Sequence, residues 1–168
     1  MAFEERIAAA FGMDDETWAR HSNPWSVWTR NTVLPALVLA VWSRAWLGRW
    51  ALVPVALALF WMWLNPRLFA RPASTRSWAS RAVLGERVWL NRGSIPVPQH
   101  HRRVPHLLNA FAASGVPLVV WGLIGLRIWP LLLGCLAIFA GKLWFLDRMV
   151  WLYEDMKDHD PRYRAWLY

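Results

Sequence analysis

The sequence predicts an all-α, polytopic membrane protein made of two helical hairpins, with about four transmembrane helices joined by a basic segment that carries an interfacial helix. Apolar residues make up 57% of the 168-residue chain, fifteen residues are Trp, and the formal net charge is nevertheless +8. Soluble domains rarely combine these properties, because apolar runs this long leave too few polar residues to cover a surface in water. The apolar residues also form two long runs, one on each side of the basic segment.

We divide the chain into consecutive regions of a single membrane domain, residues 1–168. The boundaries are 1–31 for cytoplasmic or interfacial N-terminal helices, 32–64 for the first hairpin, 65–106 for the basic cytoplasmic segment, 107–146 for the second hairpin and 147–168 for a cytoplasmic tail.

In the N-terminal region, the spacing of Phe3, Ile7 and Phe11 predicts a short helix. A second helix is predicted to start at Asp14, whose carboxylate can accept hydrogen bonds from the free amides of the first turn. Several indoles then precede the first apolar run, namely Trp18, Trp25 and Trp28. Trp is typical of the headgroup level, because its body is apolar and its N–H is polar.

The first hairpin is predicted as two antiparallel arms, residues 32–46 and 50–64, with a tight turn at Gly48. A spanning helix needs about 20 residues, so both arms are short. They cross the bilayer only if Arg44 and Arg49 extend toward the headgroups. A re-entrant hairpin, which enters and leaves on one side, is the alternative.

The second hairpin consists of residues 106–126 and 128–146, each close to full spanning length. The turn falls at Leu126 and Arg127. Pro130 follows in the first turn of the second arm, where a helix tolerates proline.

The distribution of Lys and Arg predicts the orientation. Basic residues are concentrated in the N-terminal, central and C-terminal regions, whereas the two tight turns contain only Arg44, Arg49 and Arg127. Because cytoplasmic loops are enriched in Lys and Arg, we expect both termini and the central segment to be cytoplasmic.

The central segment is predicted to begin where Asn65 and Pro66 end the second arm. A helix follows from Ser74 or Thr75 to about Asn91, either at the interface or docked on the spans. Arg binds phosphate through a planar fork, so anionic headgroups are the expected ligand. The predicted lipid- or partner-binding residues are Arg67, Arg71, Arg76, Arg81, Arg87, Arg92, Arg102, Arg103, Trp78 and Trp89. Nucleic acid is not expected, because the basic residues flank apolar runs.

Polar side chains near the second hairpin form a candidate polar cluster. Lys142 lies inside an apolar run and needs a partner such as Glu86, because a charge at membrane depth is costly. A proline-spaced extended segment delivers three histidines, but adjacent residues of an extended chain point to opposite sides. No metal, cofactor or catalytic residue is therefore predicted. The candidate cluster comprises His21, Glu86, His100, His101, His106, Lys142, Asp147 and Arg148.

Six short runs carry a likeness to known sequences: DDETWARH (14–21), NPWSVW (23–28), NPRLF (65–69), WASR (78–81), GERVWLN (85–91) and GKLWFLDRM (141–149). They resemble a family of small prokaryotic integral membrane proteins known only as a domain of unknown function. The resemblance covers residues 13–156, with the first eleven residues and residues 158–168 peripheral to it. It implies a helical membrane protein and supplies no activity or substrate.

We therefore expect a non-catalytic accessory or scaffold subunit in a prokaryotic plasma (inner) membrane. Its Trp-rich helices would pack against lipid and other integral membrane proteins, and its Arg-rich segment would bind anionic headgroups or a partner. The alternative is a small membrane enzyme or transporter with a cytoplasmic-side polar site. The sequence contains no nucleophile elbow or phosphate loop, which favours the first hypothesis.

Overall fold

A computed structural model of the chain describes residues 14–168, and every regular element in this part is helical. The all-α prediction is confirmed. The helices are α1 (Asp15–His21), α2 (Pro24–Arg30), α3 (Val33–Trp42), α4 (Arg44–Leu47), α5 (Leu52–Leu68), α6 (Trp78–Leu90), α7 (Gln99–Arg102), α8 (Val104–Gly125), α9 (Ile128–Met156) and α10 (Pro161–Ala165), with 3-10 turns at Gly48–Ala51 and Asn91–Gly93. The predicted helix through Phe3, Ile7 and Phe11 lies outside the described residues.

Within residues 14–168, three helical segments are long and apolar enough to cross a membrane. They are Pro24–Leu68 with 45 residues, Gln99–Gly125 with 27 and Ile128–Met156 with 29. The first contains α2 to α5, interrupted by turns, and is the region in which the sequence predicts two spans. The count of four spans stays a prediction.

Helices α8 and α9 pack against each other and are joined by a tight turn at Leu126, whose backbone is left-handed with φ of 50°. A Cβ added at Gly122 would lie 2.6 Å from the Leu131 amide nitrogen, and one added at Gly141 would lie 2.8 Å from Ala112. Glycine at these positions allows the two backbones to approach closely, as in many transmembrane helix pairs.

Helices α3 and α5 run antiparallel. At the end of this pair where α3 begins, polar side chains join it to α2. The indole of Trp61 donates to the hydroxyl of Thr32 at 3.2 Å. The fully buried amide of Asn65 donates to Thr29 at 2.7 Å and accepts from Ser26 at 3.1 Å. Because these bonds satisfy the Asn65 side chain, the polar residue is tolerated inside the helix.

At the opposite end of the same arms, the chain turns through Gly48, whose φ of 56° favours glycine. The guanidinium of Arg44 donates to the backbone carbonyls of Leu123 and Ile124, at 3.0 Å for Ile124. These carbonyls belong to the last turn of α8. The two tight turns of the chain therefore lie beside each other at one end of the molecule, which we call the far end.

Two predicted boundaries in the central segment are wrong. Helix α5 continues through Pro66 to Leu68. Helix α6 begins at Trp78, because the side chain of Ser77 caps it by accepting from the amide of Ser80 at 3.0 Å. The residues predicted to open it, Ser74 and Thr75, bind the carbonyl of Tyr168 instead, at 2.8 and 3.0 Å.

Helix α9 is also longer than predicted, since it passes residue 146 and ends at Met156. Its last turns are buried against α6 and α10, and Met149, Leu152 and Tyr153 are 0% exposed. We call this packed end of the molecule the base. Toward the far end the large apolar side chains point outward instead, with Ile124 73% and Trp129 78% exposed.

The contact that positions α6 is the approach of Gly85 to the backbone of Met149, which leaves no room for a Cβ at Gly85. We expect Gly85→Ala to lower the stability of the purified protein by about 1–3 kcal/mol, because the helices must move apart. Thermal unfolding in mild detergent measures this change. Gly93→Ala is the matched control, since a Cβ there meets nothing within 4 Å. Equal unfolding midpoints for the two variants would contradict the contact.

Candidate functional site at the base

Helix α6 is docked between α1 and α9, one of the two positions that the sequence left open. On one side, Arg81 donates to Glu154 of α9 at 2.7 Å. On the other, Arg87 forms a salt bridge with Asp15 of α1 and lies 4.1 Å from the ring centre of Trp166. Two of the arginines predicted to face headgroups therefore hold α6 to its neighbours.

Lys142, the charge inside the apolar run, has the partner suggested by the sequence. Its Nζ lies 2.6 Å from Oε1 of Glu86, and this salt bridge joins α9 to α6. The Glu86 side chain is 17% exposed, whereas that of Lys142 is 48% exposed. The pair therefore lies at the edge of the packed base, where the ammonium is still accessible.

His21 lies beside this pair and contacts the guanidinium of Arg30. A guanidinium has only donors, so the contact requires a neutral His21 with an acceptor nitrogen. Burial lowers the pKa of His21 well below its usual value, and the positive charges of Arg30 and Lys142 lower it further. Of the predicted cluster, Glu86 and Lys142 thus form a pair, and His21 lies near enough for the charge of Lys142 to affect its pKa.

Asp147 and Arg148 face other partners. The indole of Trp78 donates to Asp147 at 3.2 Å and stacks on Trp28 with ring centres 5.7 Å apart. The guanidinium of Arg148 lies 5.6 Å from the ring centre of Trp151. These two charged residues therefore do not join the pair formed by Glu86 and Lys142.

His100 and His101 converge on one carboxylate, so the prediction that they point to opposite sides is wrong. Their Nε2 atoms lie 3.0 and 2.8 Å from the same oxygen, Oδ2 of Asp155. The chain is helical at these residues, and α7 turns both rings toward α9. His101 is buried at 5% exposure, and the ring centres lie 4.2 Å apart. These three side chains could hold a metal ion.

The third histidine of the segment lies apart from this group. His106 packs against Trp89, with ring centres 5.3 Å apart.

Asp155 is the site residue that sequence reasoning missed, and the register of α8 against α9 in the structure shows why it lies near the histidines. In the α8–α9 pair, residue 122 faces 131 and residue 112 faces 141, so facing residue numbers add up to 253. The same rule places residues 100 and 101 level with 153 and 152. Asp155 then lies within one turn of both histidines, provided that α9 is extended past residue 146.

Other arginines of the predicted binding set pack on aromatic rings or lie exposed. Arg71 donates to the hydroxyl of Tyr168 at 2.9 Å, with its guanidinium 5.1 Å from the ring centre. The other ring contacts are Arg67 over Trp63 at 4.5 Å and Arg92 over Trp89 at 4.3 Å. Arg102 donates to the carbonyl of Val97 at 3.1 Å, and Arg76 and Arg103 are exposed.

A cleft of about 800 Å³ opens at the base between α1, α6 and the chain that follows α5. We call it the basic cleft, because its polar lining contains three arginines and two carboxylates. Those residues are Arg20, Arg71, Arg87, Asp15 and Glu16, with Trp18, Trp166 and Tyr168 as its aromatic wall.

Comparison with known proteins identifies the family. A profile described as "Family of unknown function (DUF6653)" matches residues 2–166. The chain belongs to the DUF6653 family. Because the match spans nearly the whole chain, the expectation that the two ends are peripheral to the family is wrong. No curated protein and no solved structure matches this DUF6653 member.

Membership in the DUF6653 family brings no activity, substrate or cofactor with it. What is compatible with a membrane protein is the chain's own three helical segments, which are long and apolar enough to cross a bilayer.

The neutral state of His21 predicts a pH dependence. Its pKa is lowered in the folded state, so the unfolded chain binds the proton first as the pH falls. Stability is therefore complete above the unfolded pKa of about 6.5 and falls below it, by at most about 1.4 kcal/mol per pH unit. Thermal unfolding of the detergent-solubilised protein between neutral and mildly acidic pH measures this loss.

We expect His21→Gln to show a shallower loss than the unaltered protein. The matched control is His159→Gln, because His159 is exposed. A parallel pH dependence in the protein and both variants would contradict the role of His21.

Proposed function

We propose that the chain is a non-catalytic accessory or scaffold protein of a prokaryotic plasma membrane, which crosses the bilayer four times with both termini and the base in the cytoplasm. The observation that carries this proposal is the way the charges of the base are paired. Glu86 binds Lys142, and Arg81 binds Glu154. Groups that a catalytic or transport site would use are thus engaged in holding α6 to α9.

The spacing of exposed indoles supports insertion in a bilayer. Trp129 is 78% exposed and Trp151 is 58% exposed on α9. Twenty-two residues separate them along one helix, about 33 Å at 1.5 Å per residue. Trp144, also exposed, lies about 23 Å from Trp129 by the same rise. These distances bracket the hydrocarbon thickness of about 30 Å, and Trp is enriched at its two borders.

The position of Arg44 supports two crossings by the first pair of arms. It contacts the carbonyls of Leu123 and Ile124, so the turn after α3 reaches the far end of α8. Exposed Trp46 and Trp50 flank that turn at 67% and 66% exposure. A shallow re-entrant pair would not reach this level if α8 crosses the bilayer.

A groove between α3 and α5 supports contact with other membrane proteins. It has a volume of about 470 Å³. Its lining includes the small residues Ala36, Ala40, Ser43 and Ala58. Small residues favour association in membranes, because they allow a second helix to approach closely.

The basic cleft supports binding of an anionic headgroup. Among the described contacts, the guanidinium of Arg71 bonds to a neutral hydroxyl, so its charge is available to a phosphate. Arg20 and Arg87 pair with Glu16 and Asp15, carboxylates that are 72% and 90% exposed. A phosphate could displace Glu16 from Arg20 at little cost, because both side chains of that pair are exposed and exposed ion pairs contribute little stability.

The orientation is tested with single cysteines in a Cys135→Ser background and an impermeant thiol reagent applied to intact cells. Ser94 and Leu47 are exposed, at the base and at the far end respectively. We expect labelling at Leu47→Cys and none at Ser94→Cys until the cells are opened, because the base is rich in arginine. Labelling of Ser94→Cys alone in intact cells would reverse the orientation.

The lipid prediction uses protein purified from its membrane in mild detergent and weighed with its bound lipids by native mass spectrometry. We expect Arg71→Gln to reduce retained anionic lipid several-fold, since a juxtamembrane arginine contributes about 1 kcal/mol of attraction. Arg164→Gln is the control, because Arg164 pairs with Asp158 and does not line the cleft. Equal retention by both variants would remove the cleft from the proposal.

The same measurement addresses the wider role. Stable co-purification with a second membrane protein would support a scaffold. In a separate assay, complementation of a deletion strain, loss of function in Lys142→Met at normal membrane abundance would overturn it.

A further inference from the structure

We infer that His100, His101 and Asp155 form a binding site for a divalent transition-metal ion of the zinc class. Each of the three residues offers one donor atom, and these atoms all lie within 4.8 Å of one another. Two imidazole nitrogens already approach a single carboxylate oxygen, at 3.0 and 2.8 Å. This inference is independent of the proposed scaffold role, since it concerns what the base binds and not what the membrane helices contact.

To receive the ion, two of the donor separations must open, and a separation as large as 4.8 Å must close by about 1.4 Å. Zinc binds imidazole nitrogen at about 2.0–2.1 Å and carboxylate oxygen at about 2.0–2.2 Å, so two tetrahedral ligands lie about 3.4 Å apart. The two nitrogen–oxygen distances would each have to open by about half an ångström to reach that tetrahedral spacing. His100 is free to make this adjustment, because its side chain is 67% exposed.

The backbone presents the donors from rigid elements. The buried His101 lies in α7, and its amide donates to the carbonyl of Pro98 at 3.0 Å. Pro98 and Pro105 flank the turn, and proline restricts the backbone on each side of it. Asp155 lies in the last turn of α9, the longest helix described. Ligands held on helices keep their geometry better than ligands on loops.

The neighbouring charges leave the carboxylate available. Glu154, the residue before Asp155, accepts from Arg81 at 2.7 Å and from Lys157 at 2.6 Å. Arg81 and Lys157 therefore bind the carboxylate of Glu154 and not that of Asp155. Arg102 and Arg103 follow the histidines and are exposed, so water screens them.

The donor set selects the class of ion. Imidazole favours zinc, copper, nickel and cobalt, whereas magnesium and calcium prefer oxygen ligands. Calcium takes about 6–8 oxygen ligands, and this cluster supplies a single carboxylate. Three protein donors leave a further position for water in a tetrahedral ion.

The bound ion would join the segment that enters α8 to the last turn of α9. The far end of this helix pair is already closed by the turn at Leu126 and Arg127. The ion would therefore close the pair at the base as well. Because the unfolded chain does not hold these donors together, the ion should stabilise the folded protein.

The test uses full-length protein purified through an affinity tag that contains no histidine, stripped with a chelator and titrated with zinc against a colorimetric chelator. We expect one zinc per chain, with magnesium and calcium unable to compete. Asp155→Asn and His100→Gln should each weaken zinc binding about tenfold or more, since loss of an outer-shell partner alone costs about 10–100-fold. At one fixed zinc concentration, zinc should raise the thermal unfolding midpoint of the unaltered protein more than that of either variant.

His100 provides the decisive variant, because an exposed side chain can be replaced without disturbing the fold. His106→Gln and His159→Gln are the controls and should bind zinc normally, since neither residue belongs to the cluster. Cobalt provides an independent signature, namely a visible absorption band that is lost in His100→Gln. Zinc well below one per chain, or equal weakening in His159→Gln and His100→Gln, would overturn the site.

Discussion

The backbone approach between Gly85 of α6 and Met149 of α9 is the constraint on which the base depends. Only glycine allows α6 to lie this close to α9. The position of α6 then determines which partners its charged side chains can contact. One turn earlier, Arg81 meets Glu154, and the next residue, Glu86, meets Lys142. The apolar core is concentrated at the same crossing, whereas the helices toward the far end expose their apolar side chains. The molecule therefore has a buried core at one end, whereas at the other end its helices expose apolar side chains as helices that cross a membrane would.

Hydropathy and turn residues were sufficient to predict the apolar helices, because a run of about 20 apolar residues and a break at Leu126 leave few alternatives. They could not predict where α9 ends. Asp147, Arg148 and Glu154 look like the end of a membrane span, since charges are costly in hydrocarbon. Here Asp147 and Glu154 accept hydrogen bonds from α6, so the helix continues as part of the base. A partner from a distant part of the chain is information that local patterns do not contain.

The candidate site also contains one contact that the sequence could suggest and one that it could not. Glu86 could be proposed as the partner of Lys142, because a charge within an apolar run requires an opposite charge and the central segment offers a single acid. The convergence of His100 and His101 could not be proposed while the segment was taken as extended. The prolines favour an extended chain only as far as Pro98, after which one helical turn rotates both rings toward Asp155. Because one helical turn was taken as extended chain, the two histidine side chains were expected to point in opposite directions.

Proline in α8 has a mechanical consequence for the whole helix pair. Pro117 has no backbone N–H, so the carbonyl of Ala113 lacks its usual donor four residues ahead, and the helix is weakest in bending at that level. Gly115 and Gly134 hold α8 and α9 in close contact at the same height. The missing hydrogen bond and the close approach of the α8 and α9 backbones therefore lie at the same level of the helix pair. A bend of α8 at Pro117 would change the tilt of its far half, while the glycine contact keeps the two helices together at that level.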